Sequence, residues 1–245
     1  MSRRSLVSAL QAVEAGFRQL ETLVPPPGRV RWKDGFVFRY QEKTIQQAII
    51  QKLARTVSGL YALNALLDLG LFQEQGVIQR TLDEIGEDIT FLSLAVIEND
   101  VTERHKKYLE YFYQEEFSDP ADIAGSHVSR PSVPREKIRA YINQSSGSDL
   151  ARANIMTKII AKAYSGFVHA ASPNVMDMCV GNPPTFDVNG ATRMRRREEH
   201  ERDAKNYFYR ALVAVTHAAK ALGDESLCAT LAKHASAFYD EMYSQ

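Results

Sequence analysis

From Gln79 to Ile97 the chain reads as one long helix with two different faces, and no other stretch restricts the fold so strongly. Ile78, Leu82, Ile85, Ile89, Leu92 and Val96 recur at steps of three and four, which gives this helix a buried side. Val77, Arg80, Glu84, Asp88, Phe91 and Ala95 follow the same spacing on a neighbouring face. From Phe91 to Ile97 the stretch is apolar nearly all round, as in a helix enclosed on every side. Arg80, Glu84 and Asp88 therefore run toward a buried end, the one place where charge enters what reads as core.

The remaining chain supplies further helices for it to pack against. Leu6, Leu10, Val13, Phe17, Leu20 and Val24 form one face of a helix over about 5–24, closed by Pro25-Pro26-Pro27-Gly28. Its polar side mixes Glu14, Arg18 and Glu21, which fits a core helix better than a membrane-surface one. Val30-Arg31-Trp32 and Phe36-Val37-Phe38 flank Lys33-Asp34-Gly35 and predict a tight hairpin lying on the helical body with Trp32 as its anchor. It is the only strand pair the sequence predicts. Ile45, Ile49, Leu53, Val57, Leu60 and Leu67 keep helical period until Gly70 ends the run.

Thr102 predicts an N-cap for an aromatic-rich helix reaching Phe117, with His105 on its surface beside Lys106 and Lys107. Residues 118–134, with Pro120, Gly125, Pro131 and Pro134, read as a surface loop within one helical body rather than a domain linker. A short helix over 135–144 follows. The next is predicted from Ser148-Asp149 to Ala171, with Met156, Ile160, Ala163, Phe167 and Ala170 buried and Lys158, Lys162, Ser165 and His169 on its other face. Ser172-Pro173 predicts an N-cap and first helical residue, and 173–192 a loop, either a lid or a packed surface segment. Ala204, Phe208, Ala211, Val215, Ala218 and Leu222, then Leu227, Leu231, Ala235 and Phe238 after Gly223-Asp224, predict an antiparallel helical hairpin.

The expected fold is all-α: a compact array of seven or eight helices with a small β-hairpin near the N-terminus. It forms a single domain, subdivided as 1–40 for the first helix and hairpin, 41–172 for the main bundle, 173–192 for the loop and 193–245 for the C-terminal helical hairpin. At 245 residues the chain buries enough surface to fold without a metal or disulfide framework. Thirty basic and thirty acidic side chains balance, so any contact with nucleic acid or an anionic membrane has to come from a local patch. Cys179 and Cys228 are expected as free thiols in a reducing compartment. With no apolar run near the length of a membrane span, the expectation is a soluble, cytoplasmic protein without membrane partners.

No metal and no cofactor is expected. No histidine follows a glutamate by three positions, and the zincin pattern, the nucleophile elbow and glycine-rich phosphate loops are all absent. Arg193-Met194-Arg195-Arg196-Arg197 is the one dense basic run, but Glu198, Glu199, Glu201 and Asp203 follow it as ready helical partners.

Arg195 and His200 have four residues between them, and Arg210 and His217 have six. This spacing resembles the ribonuclease signature of the helical nucleotide-binding superfamily of higher eukaryotes and prokaryotes, HEPN. The resemblance implies metal-independent RNA cleavage, arginine stabilising phosphorane charge and histidine handling the 2′-hydroxyl proton. At this arginine content the same spacing also arises by accident, and both origins stand open.

A second resemblance rests on Arg80-Thr81-Leu82-Asp83-Glu84 and Tyr164-Ser165-Gly166-Phe167-Val168-His169. These are similar to the Arg-x-x-x-Glu helix and the later Tyr-Ser-x-x-Val-His helix of a broad family of uncharacterised bacterial all-helical proteins, some distantly HEPN-like. The likeness covers roughly 44–172. It implies no activity of its own but pairs Arg80 and Glu84 with Tyr164, Ser165 and His169; one expectation built on that pairing is a HEPN-like protein acting on RNA or a nucleotide in defence or stress, with Arg80, Glu84 and His169 as the catalytic cluster and Asp88, Tyr164, Ser165 and Lys162 binding beside it. The other expectation, from residues alone, is a non-enzymatic interaction or oligomerisation protein, a second copy of the chain being its candidate partner, whose polar cluster only fixes helix register.

Overall fold

The computed structural model describes residues 3–115, 117, 125, 132–145, 159, 162–190 and 196–244. Among them the protein is all-α with a small antiparallel hairpin near its N-terminus. Helix α1 (Arg3–Glu21) leads to strands β1 (Gly28–Trp32) and β2 (Gly35–Arg39), then to α2 (Ile45–Leu69), α3 (Phe72–Ile97), α4 (Glu103–Tyr113) and α5 (Arg135–Ser145). Residues 162–168 form α6. After α7 (Ser172–Met176) comes a two-residue strand pair, β3 (Cys179–Val180) with β4 (Thr185–Phe186), and the long helices α8 (Arg197–Ala221) and α9 (Glu225–Tyr243) close the fold.

Helix α8 packs on α1, α2, α3 and α9, and α3 packs on α2, α5 and α8, so α3 and α8 share the middle of the bundle. The predicted stripe of α1 is all core, from Leu6 to Val24, and Phe208, Leu212 and Val215 of α8 meet it there. Thr44 caps α2 in a capping box with Gln47, and Gly70 ends it in the left-handed region at φ 70°, as its position in the sequence predicts. Asp224 accepts the Leu227 N–H at 3.0 Å and starts α9 after a very short turn. Both cysteines are free thiols. No helix among the described residues is long and apolar enough to cross a membrane.

Several local expectations are corrected. His105 is fully buried rather than on the surface. The Thr102 N–H donates to its Nδ1 at 3.1 Å, so His105 fills the capping-box position usually held by Glu or Gln. That bond turns the ring inward, where it stacks on Phe91 at 4.1 Å and meets the edge of Tyr141 at 4.8 Å. The helix it opens stops at Tyr113, before Phe117. Ala163 on α6 and Ala170 just after it are exposed, and of the expected buried face only Phe167 is partly buried among the described residues; Met156, Ile160 and Lys158 lie outside them. Ala171, not Ser172, occupies the N-cap of α7. The β3–β4 pair was not expected, and it folds the 173–192 connection into a hairpin of its own. In the first hairpin the turn is Lys33-Asp34, and Gly35 already pairs with Trp32.

Candidate functional site

Steps of three and four along α3 bring Arg80, Glu84 and Asp88 into one line and Asp83 and Glu87 into the line beside it. All four acids of this pair of lines meet cations from surrounding helices. Arg80 Nη2 lies 2.6 Å from Glu84 Oε1. Asp88, almost fully buried, accepts from Lys52 of α2 at 2.7 Å and from Arg135 of α5 at 2.5 Å, one base on each carboxylate oxygen. Arg135 extends to Glu87 at 3.6 Å and Glu84 at 4.0 Å, while Arg139 Nε donates to Glu87 Oε1 at 2.8 Å. Asp83 is held from α8, by an ion pair with Arg210 and by the Tyr207 hydroxyl, which donates at 3.1 Å.

Burial dominates the titration of Asp83 and Glu87. It pushes the Asp83 carboxyl above its ordinary range against the pull of Arg210 and the Tyr207 bond. It raises Glu87 likewise, against Arg139 and Arg135. A second polar chain joins this one from α6: the Tyr164 hydroxyl donates to Asp203 at 3.2 Å, and its ring meets the edge of Tyr207 at 5.8 Å. Burial raises the Asp203 carboxyl as well. Between α3, α5 and α8 a cavity of about 330 Å³ is lined by Glu87, Arg139, Tyr207 and Arg210 together with apolar Leu82 and Ile142.

The residues singled out in the sequence distribute as follows. Arg80, Glu84 and Asp88 belong to the network. Tyr164 reaches it through Tyr207. His169 sits in the exposed turn just after α6, its N–H donating to the Ser165 carbonyl at 3.1 Å. Among the described residues no hydrogen bond, ion pair or ring contact joins it to Arg80 or Glu84. Ser165 is half-buried and Lys162 exposed, and neither side chain bonds to the network.

Arg195 lies outside the described residues. His200 is buried, stacked on Phe72 at 4.9 Å with the edge of Phe167 at 6.1 Å, and its Nε2 has no hydrogen-bond partner among the described residues. Burial lowers its pKa, helped by Arg196. Of that basic run, Arg196 pairs with Glu199 and with Asp177, just after α7, and Arg197 pairs with Glu201. His217, two helical turns from Arg210, is half-buried, its Nδ1 without a hydrogen-bond partner among the described residues, and burial depresses its pKa too. It borders a second cavity of about 320 Å³ that shares Tyr209 and Val213 with the first.

Sequence reasoning missed Asp83, Glu87, Lys52, Arg135, Arg139 and Tyr207 as members. A usable signal existed: Asp83 and Glu87 are four apart beside the buried stripe, and Arg135 and Arg139 are four apart on a helix facing it. Among the described residues no group of three or more His, Cys, Asp or Glu side chains is arranged to hold a metal ion. No family model, no curated protein and no solved structure matches this chain.

Proposed function

We propose that the protein is a non-enzymatic helical interaction protein in which the α3 polar cluster sets the register of the surrounding helices. The pairing of the α3 acids supports this best. Asp83, Glu84, Glu87 and Asp88 each hold a cation, and those cations come from α2, α3, α5 and α8. A slip of any of these helices by one turn strands buried charge, which is far costlier than a lost apolar contact. A network with its charges matched inside the fold holds helices together and leaves no carboxylate free to act as a base.

A second reading, HEPN-like action on RNA or a nucleotide, is favoured by one observation. Arg210 and His217, two turns apart on α8, line adjoining cavities. An imidazole with a depressed pKa is neutral near pH 7 and able to accept a proton, and Arg210, though paired with Asp83, is exposed enough on its other side to share its charge with a phosphate. Single-stranded RNA incubated in chelator with the wild type, His217→Ala and His169→Ala separates the two. Intact RNA in all three supports the interaction protein; cleavage by the wild type that either substitution abolishes overturns it.

A further inference from the structure

The β1–β2 hairpin has one face turned to the helical body and one turned outward, and the register fixes their composition. Arg29 pairs with Phe38 and Arg31 with Phe36 across the ladder, so these four side chains stand together on the outer face, all exposed. Phe36 and Phe38 are half exposed or more, and their rings meet edge to face at 5.5 Å. The Arg29 guanidinium sits 4.4 Å from the centre of the Phe36 ring. Each cross-strand row of this face thus carries one aromatic ring and one fixed positive charge.

Among the described residues Arg29 meets only the Phe36 ring, and neither arginine of this face is neutralised by an acid. Arg39 on the inner face, by contrast, is bound to Glu115 by two hydrogen bonds. Residues 28–43 hold five basic side chains (Arg29, Arg31, Lys33, Arg39, Lys43) against two acids (Asp34, Glu42), in a chain with no net charge. Phe38 also rims a groove of about 820 Å³, where Trp32, Tyr40, Phe112, Tyr113 and Phe117 continue the aromatic surface between the hairpin and α4.

We infer that this face is a stacking platform for single-stranded nucleic acid, with unpaired bases on Phe36 and Phe38 and backbone phosphates on Arg29 and Arg31. Exposed rings attract any flat apolar partner, and arginines attract any anion; rings and guanidiniums alternating one to one match a polymer that presents a base and a phosphate at every step. A duplex hides the faces of its bases and offers the rings nothing. An anionic membrane accepts the charge, but it rewards a deep apolar wedge with Trp or Tyr at its margin rather than two shallow phenylalanines. The inference rests on the interaction-protein reading and names the partner.

Fluorescence anisotropy of a labelled, uridine-rich single-stranded RNA tests it, with the full chain and RNA recovered afterwards on a gel. The wild type is expected to bind. Replacing both Phe36 and Phe38 by Ala should weaken binding at least about tenfold. Replacing Arg29 and Arg31 by Gln should reduce the slope of log affinity against log salt by about 0.7 per arginine. The same RNA annealed to its complement should bind more weakly than the single strand. The pair Phe36→Leu and Phe38→Leu, which keeps apolar bulk and removes the rings, serves the same comparison if the alanine pair melts early. No binding by the wild type, indifference to both pairs of substitutions, equal or tighter binding of the duplex, or phenylalanine-dependent capture on phosphatidylserine vesicles in place of RNA each overturns the platform. Bound RNA that comes back cleaved sinks the non-enzymatic reading and leaves the platform standing; intact RNA with no binding does the reverse.

Discussion

The Tyr207 hydroxyl donates to Asp83 Oδ2 at 3.1 Å, tying the middle of α8 to the middle of α3 across 124 residues of sequence, with Arg210 on the same carboxylate. Both residues are almost fully buried, so no solvent replaces the hydroxyl if it is removed. Tyr207→Phe should lower stability by about 1–3 kcal/mol, because it leaves a desolvated carboxylate oxygen short of a donor. A shift of the urea midpoint with an unchanged slope is the expected result, and an unaltered midpoint would show that the bond adds nothing.

Asp88 is the most tightly enclosed junction of the network, with Lys52 and Arg135 on its two oxygens. Asp88→Ala should cost about 3–5 kcal/mol, since both cations are left in a poorly solvated place without their counter-charge. Replacing all three together, Lys52→Met, Asp88→Leu and Arg135→Met, should recover most of that loss, as apolar residues of similar volume commonly do. Chemical denaturation of the single and triple variants checks this. A triple variant as unstable as Asp88→Ala would mean that the ion network contributes net stability of its own.

Two glycines of α3 predict opposite results. A Cβ at Gly76 would run into the Phe167 ring, whereas one at Gly86 meets nothing within 4 Å. Gly76→Ala should destabilise by about 1–3 kcal/mol by forcing α6 off α3. Gly86→Ala, in mid-helix with room to spare, should stabilise by about 0.5–1 kcal/mol. Thermal melts of the two variants side by side decide it, and a Gly76→Ala protein as stable as the parent would remove α6 from its place on α3.

Burial holds the imidazoles of His105, His200 and His217 below their ordinary pKa. The unfolded chain takes up these protons near pH 6.5, the folded chain only at lower pH. Their stabilising effect is therefore full above that value and is lost as pH falls below it. Asp83, Glu87 and Asp203, with raised carboxyls, act in the opposite sense, losing stability as pH rises above about 4. His105→Gln separates the contributions because glutamine keeps the capping position and cannot titrate. Its Tm should start lower, for want of the ring stacked on Phe91, and should fall less than the parent's between about pH 7.5 and 5.5. Parallel curves for the two proteins would refute a titrating role for His105.

What could be read in the sequence was what the chain decides locally. The stripe of α1, the glycine stop at Gly70 and the hairpin around Lys33-Asp34 depend on neighbours a few residues away, and each is found as expected. His105 shows where this ends. Followed by two lysines it reads as surface, and Phe91 and Tyr141, brought in by α3 and α5, make a place for its ring. The polar network divides the same way. Arg80 and Glu84 are neighbours on one helix and were legible as a pair, while the partners of Asp83, Glu87 and Asp88 lie on other helices at separations no periodicity encodes. Ala163 and Ala170 fell on the predicted inner face, yet both are exposed, and among the described residues Phe167 is what lies against Gly76 of α3.

The place of α8 at the centre also orders events in time. It covers α1, α2 and α3, but Arg197 leaves the ribosome 100 residues after Ile97. At ordinary rates of synthesis that interval is roughly 5–20 s. Throughout it, the sides of α1, α2 and α3 that α8 covers have no partner yet, so a nascent chain halted between α5 and α8 should aggregate more readily than the completed one.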